Sequence, residues 1–199
     1  MTQAKTRFTT IEEYAALDTS DLPEGNYELV DGAIVEMGAE SDQNREIVVL
    51  LLLALAQFVS PPLLRVGSEI AVSGKRVTSR YPDLIVLAEE TREAMNRKKR
   101  SLITSEMPAP RLVVEVVSPG KPGSENYDRD YIEKPEEYAQ RGIPEFWQID
   151  PERSVVSVLT LEGSSYKAKA FRGSDRIESE QFKQLDLTAQ QILSAGERQ

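Results

Sequence analysis

Leu112-Val113-Val114-Glu115-Val116-Val117 is a run of strand-forming side chains with one acid near its centre. Aliphatic residues at successive positions, rather than at every second one, mark a strand covered on both faces. A carboxylate flanked by valines there meets a heavy desolvation cost unless it is paired, protonated or metal-bound. Periodicity alone leaves Glu115 open between a functional role and a structural one, the latter on an exposed sheet face or in an ion pair with Lys134 or an arginine. A second run of the same kind, Leu84-Ile85-Val86-Leu87, is opened by Asp83 directly after Pro82.

Outward from these strands the chain mixes both element types. Thr9 and Thr10 with Glu12 and Glu13 form overlapping capping boxes, so a short helix starts there. Residues 26–37 read as a β-hairpin turning at Asp31-Gly32, a dipeptide suited to the positive φ angles of a tight turn. A helix capped by Ser41 or Asp42 runs to about residue 59, where Ser60-Pro61-Pro62 stops it. Its middle, residues 48–56, is apolar all round, the pattern of a helix buried on several sides. Further strands are expected at 64–72, 83–87, 111–117, 145–149, 155–161 and 166–171, with helical segments within 128–141 and at 188–193. The order predicts a mixed α/β domain with a central sheet flanked by helices and an N-terminal hairpin extension, in a single domain over residues 1–199 with its core at about 9–193.

The 199 residues include no cysteine and no histidine, with 24 basic and 33 acidic side chains for a net charge of −9. Ser–His–Asp and Cys–His machinery is thereby excluded, as are zinc sites built on thiolate or imidazole. Any bound metal is expected to be a hard cation on oxygen ligands, and acid–base work falls to carboxylates, lysine, tyrosine or bound water. The N-terminus lacks the apolar segment of a secretory signal, and the longest apolar run falls short of the ~20 residues that span a bilayer. The expectation is a soluble, cytoplasmic protein.

Charge is unevenly spread. Residues 1–64 carry a net −8 and residues 112–199 a net −5, whereas residues 65–111 carry +4. The basic stretch includes Arg97-Lys98-Lys99-Arg100, which reads either as a solvated loop or as a phosphate-facing patch on an acidic body.

Five segments occur in a telling order: Tyr27-Glu28-Leu29-Val30-Asp31-Gly32, Tyr81-Pro82-Asp83, Val114-Glu115-Val116-Val117-Ser118-Pro119, Glu133-Lys134-Pro135-Glu136-Glu137-Tyr138 and Gly142-Ile143-Pro144-Glu145-Phe146-Trp147. Together they resemble the Uma-two family, the bacterial "domain of unknown function 820" group within the PD-(D/E)XK nuclease superfamily, over about residues 9–193. The resemblance implies a restriction-endonuclease-like core, hydrolysis of DNA phosphodiesters with Mg²⁺ or Mn²⁺, and a homodimer able to cut two strands. It implies Asp83, Glu115 and Glu28 as metal ligands or near neighbours of the metal, and Lys134 as the assisting lysine. Such a site suits Mg²⁺, which keeps several waters and needs few carboxylates.

Departures from the pattern are visible. The superfamily's lysine position, two residues after Glu115, holds Val117, so the role passes to Lys134, with Lys121 as fallback. Pro135 disfavours helical backbone at Lys134. Where many relatives carry a histidine before the long helix, this chain has Asp42, Gln43 and Asn44, of which Gln43 offers a hydrogen-bond donor. Trp147 is expected in the core, the tyrosines at 127, 131 and 138 in packing roles, and Asp128 and Asp130 in solvated or capping roles with an option of orienting Lys134. Two rival functions remain: an inactive nuclease fold serving as a binding module, and a metal-free carboxylate-pair hydrolase such as a glycosidase.

Overall fold

The computed structural model describes residues 7–18, 25, 27–38, 41–72, 77–96, 98 and 100–196. Arg97 and Lys99 of the basic run therefore lie outside the described residues, as does Asn26 at the start of the hairpin. Helix α1 (Ile11–Ala15) begins at a Thr10–Glu13 capping box. Strands β1 (Tyr27–Val30) and β2 (Ala33–Glu36) form the hairpin, turning through Asp31 and Gly32 at φ 50° and 79°. Gly32 is required twice over, because a Cβ there would sit 2.3 Å from the Phe8 carbonyl oxygen.

Helix α2 (Asp42–Leu55) is capped by Ser41 and ends four residues earlier than its composition suggested. Ile47, Leu51 and Leu55 point inward and are fully buried, each contributing roughly 1.5–3 kcal/mol of apolar burial. The expectation of burial on several sides fails on the opposite face, where Val49 is 54% and Leu53 64% exposed. The helix packs on one layer only, against the sheet and the C-terminal helix.

The strands divide between two sheets rather than forming one. The expected strand over 64–72 breaks at Gly67, with φ 75°, into β3 (Leu64–Arg65) and β4 (Glu69–Val72). One sheet has the order β2-β1-β5-β4-β7, where β5 is Thr78–Arg80 and β7 is Leu102–Ile103. The other runs β11-β10-β9-β8-β6-β3, with β6 at Leu84–Val86, β8 at Leu112–Val116, β9 at Glu145–Asp150, β10 at Val155–Glu162 and β11 at Ser165–Phe171. Within it β8 and β9 are parallel and the remaining pairs antiparallel. Helices α3 (Glu89–Met95), α4 (Glu125–Asp128), α5 (Lys134–Gln140) and α6 (Ala189–Leu193) complete the chain. This is the expected mixed α/β class, with the hairpin built into a second sheet. Among the described residues no helix is long and apolar enough to cross a membrane.

The chain crosses from the first sheet to the second through Arg80-Tyr81-Pro82-Asp83, between β5 and β6. A proline at that point needs no ladder partner for its missing N–H. The crossing brings the hairpin sheet against the end of β8.

Candidate active site

Strand register places the two acids of the sequence motif side by side. Antiparallel β6 and β8 pair Leu84 with Val114; Asp83 directly precedes the one and Glu115 directly follows the other. The contact is concrete: the Val116 amide donates to Asp83 Oδ2 at 2.6 Å. Both residues line one pocket, so two carboxylates separated by 31 residues of chain border the same space.

Lys134 reaches that space despite the proline after it. Arg129–Glu133 is a π-helical turn between α4 and α5, and Lys134 follows it in helical conformation at φ −58°, ψ −45°. A widened turn is a physical answer to Pro135, which offers no N–H and whose ring crowds the preceding turn. The Lys134 ammonium Nζ lies 2.7 Å from Glu115 Oε2, 3.2 Å from Asp130 Oδ1 and 4.0 Å from Glu28 Oε1. Tyr138, one helical turn on, donates its hydroxyl to Glu115 Oε1 at 2.5 Å.

Glu28 is held from the other side. Arg80 Nη1 donates to its Oε2 at 3.0 Å and the Tyr81 amide to its Oε1 at 3.3 Å. The same buried guanidinium reaches Glu133 at 2.9 Å and Glu137 at 2.6 Å, so it ties β1 and β5 to the helix that carries Lys134. Asp130 is buried as well, accepting from the Ser118 amide and from Arg129.

The electrostatics follow from this packing. Burial opposes the charge of Lys134, but Glu115, then Glu28 and Asp130, outweigh it and hold the ammonium above the usual lysine range. Burial raises the carboxyl of Glu115, with Lys134 opposing and Glu28 adding to the rise. For Glu28 and Asp130 burial is outweighed by neighbouring cations, Lys134 foremost, and both carboxyls are lowered. Burial and Glu115 raise the Tyr138 phenol far enough to keep it a proton donor.

The site opens to solvent through a pocket of about 400 Å³ lined by Asp83, Glu115, Asp130 and Lys134, with Asn44, Asn126 and Arg129 on its walls. Of the residues read from sequence, Asp83, Glu115 and Lys134 meet in this pocket. Glu28 stands behind Lys134, engaged by Arg80. Lys121 is exposed and does not line the pocket, and Val117 is buried. At the start of α2, Gln43 turns away and donates to the Leu193 carbonyl, whereas Asn44 lines the pocket with no side-chain bond to a described residue.

Among the described residues no set of three or more carboxylates is gathered closely enough to hold a metal ion. The pair that faces the pocket, Asp83 and Glu115, is nevertheless an all-oxygen donor set. A hard cation that keeps most of its waters fits two such carboxylates. Each carboxylate oxygen that accepts one bond retains a further lone pair.

Asp130 and Tyr138 are the residues that sequence reading undervalued, together with Arg80. The i, i+4 spacing from Asp130 to Lys134 and from Lys134 to Tyr138 was the available signal, since such residues share a helix face. Trp147 is in the core as expected, its indole N–H on Glu145.

No functionally curated protein matches the sequence. A crystal structure described as "a putative nuclease belonging to DUF820" from Anabaena variabilis has the same fold, with a TM-score of 0.67 at 18% identity, covering 93% of this chain and 97% of that one. The family described as "Uma2: Putative restriction endonuclease" matches residues 11–190, and with nearly the whole chain matched, the protein belongs to that family.

Proposed function

We propose that the protein is a divalent-metal-dependent DNA endonuclease, and that Asp83 and Glu115 would hold Mg²⁺ or Mn²⁺. One observation carries this reading: the β6–β8 register sets Asp83 beside Glu115 on an open pocket, with Lys134 2.7 Å from Glu115. A cation bound there would offset phosphate charge and acidify a water. The side chains already present supply the rest. Lys134, kept protonated by its three carboxylates, does not act as a base; it offers positive charge to the phosphate oxygens as negative charge builds on them. Tyr138 and Lys134 fix the orientation of Glu115, and the Val116 amide fixes Asp83. Glu28 and Asp130 hold the lysine in turn, so Glu28 acts here as a positioning residue rather than a direct ligand. Asn44, at the place of the expected histidine, presents a carboxamide to bind or orient a water.

The inactive-scaffold reading has one observation in its favour, since both Glu115 oxygens already accept side-chain bonds. Incubating supercoiled plasmid with purified protein and Mg²⁺ or Mn²⁺ separates the two. Nicking by wild type that is lost in Asp83→Asn and in Glu115→Gln supports the endonuclease. A wild type that cuts under neither metal sinks it. The homodimer implied by the resemblance is checked by light scattering on the same samples.

A further inference from the structure

A second pocket, of about 340 Å³, lies between the C-terminal end of α3, β3 and the approach to β7. Arg65, Arg92, Lys98 and Arg100 line it, and among the described residues no carboxylate does. Arg100 is internally neutralised: it stacks on the Tyr14 ring at 3.8 Å and donates to Glu69 Oε1 and the Tyr14 carbonyl. The other three are not. The Arg65 side chain donates only to the Leu64 carbonyl, at 2.9 Å, and the side chains of Arg92 and Lys98 neither bond nor pair with any described residue. Three cations gathered into one concavity, with no acidic partner among the described residues, repel one another. On a chain with a net charge of −9 and acids to spare, that arrangement is arranged for an anion rather than for stability.

The pocket is also oriented toward the candidate active site. Arg65 pairs with Ile85, and Ile85 in turn with Val113, two residues from Glu115 in β8. Residues two apart and residues directly opposed share a sheet face, so Arg65 is on the face that carries Glu115. Strand geometry separates the Arg65 and Glu115 backbones by about 7 Å along the strand and about 10 Å across two strand spacings.

Building on the endonuclease reading for the identity of the substrate, we propose that this basic pocket is a phosphate-binding subsite that grips the DNA backbone beside the bond to be cut. Its chemistry is that of a polyanion bound by guanidinium and ammonium groups without base contacts, which sets position on the strand and not sequence.

The test measures binding of a fluorescein-labelled duplex by anisotropy in EDTA, across a series of salt concentrations. Arg65→Gln, Arg92→Gln and Lys98→Gln combined should lower the slope of log affinity against log salt by about two to three and raise Kd roughly tenfold or more. A charge-matched control, Lys167→Gln, Lys169→Gln and Lys183→Gln combined, should keep the wild-type slope. The proposal is overturned if the pocket variant keeps the wild-type slope or if the control loses as much. Because the mutated cations have no acidic partner among the described residues, the pocket variant should melt no lower than wild type. Should the triple variant unfold, Arg92→Gln and Lys98→Gln alone carry the test, each with a slope change of about one. Nicking is scored separately: a wild type that cuts nothing while the pocket variant loses its slope removes the endonuclease reading and leaves the phosphate site.

Discussion

Two glutamates are buried in adjacent parallel strands, Glu115 in β8 and Glu145 in β9, near opposite ends of the pair. Glu145 accepts from the Trp147 indole at 2.7 Å, the Ser179 hydroxyl at 2.6 Å and the amides of Glu180 and Gln181. Those four bonds fill the four lone-pair sites of a carboxylate, every donor is electrically neutral, and all come from the chain itself. The acid thereby staples the segment around residues 179–181 to the sheet. Glu115 has two side-chain donors, one a charged ammonium, and its remaining capacity faces a pocket. Burial of an acid is thus common to both. What separates a staple from a candidate ligand is how many lone pairs the fold leaves open, and whether the neighbouring charge is mobile in its use.

That contrast is broken most forcefully by exchanging acid for amide at both places. Asp83→Asn, acting on the carboxylate beside Glu115, should lower the nicking rate on the order of 10³-fold, an effect of the size seen when a preorganised charge is removed from a reaction site. Glu145→Gln should leave the rate where it was. Equal losses at the two places would mean that nicking simply follows stability.

Next in size is Lys134→Met. Removing the cation leaves Glu28, Glu115 and Asp130 facing one another, and breaking a buried ion cluster by deleting one partner costs about 3–5 kcal/mol. Denaturant unfolding measures it. Mn²⁺ should restore more stability to this variant than it adds to wild type, because Glu115 then has no internal counter-charge, whereas Glu28 keeps Arg80 and Asp130 keeps Arg129. A variant that unfolds at the wild-type denaturant concentration, with or without the ion, would show that Lys134 is not what balances the cluster.

Glu145→Gln supplies the third measurement on its own account. An amide nitrogen in place of one oxygen turns an acceptor toward backbone N–H groups that have nowhere else to donate. Leaving buried donors unsatisfied costs about 1–3 kcal/mol. The loss should appear as a lower unfolding midpoint with an unchanged denaturant slope.

How far the sequence alone could go is clear from the same residues. Asp83 and Glu115 were legible because each interrupts or opens an aliphatic strand, where an acid has to be accounted for. Their adjacency was not, since antiparallel register is decided by long-range pairing. The split into two sheets turns on Gly67, whose single positive φ angle divides what reads as one strand. The polar strand Thr78-Ser79-Arg80 has no apolar pattern to announce it, yet it is buried, because Glu28, Glu133 and Glu137 come from elsewhere in the chain to meet Arg80. Asp130 looked like a solvated or capping residue among its acidic and aromatic neighbours. Its i, i+4 spacing to Lys134 was the one pointer to the 3.2 Å ion pair that the fold makes there. Charge arithmetic, likewise, located the basic stretch but could not bring Arg65 and Arg92 to Lys98.

The smallest expected effect is the sharpest test of the contrast, because it removes one hydroxyl from each glutamate. Tyr138→Phe deletes the 2.5 Å bond to Glu115, and Ser179→Ala deletes the 2.6 Å bond to Glu145. Each should cost about 1–2 kcal/mol of stability, the usual penalty for stranding a buried acceptor. The two variants should part company in the nicking assay. Without Tyr138, Glu115 is oriented by Lys134 alone, and loss of an outer partner of a ligand typically reduces metal affinity or rate by about 10–100-fold. Raising the Mn²⁺ concentration should recover part of that loss in Tyr138→Phe. Ser179→Ala should cut at the wild-type rate, since three donors still hold Glu145 and none of them borders the pocket. If both variants lose stability and neither loses rate, the hydroxyl of Tyr138 is a staple like that of Ser179, and Lys134 alone sets the geometry of Glu115.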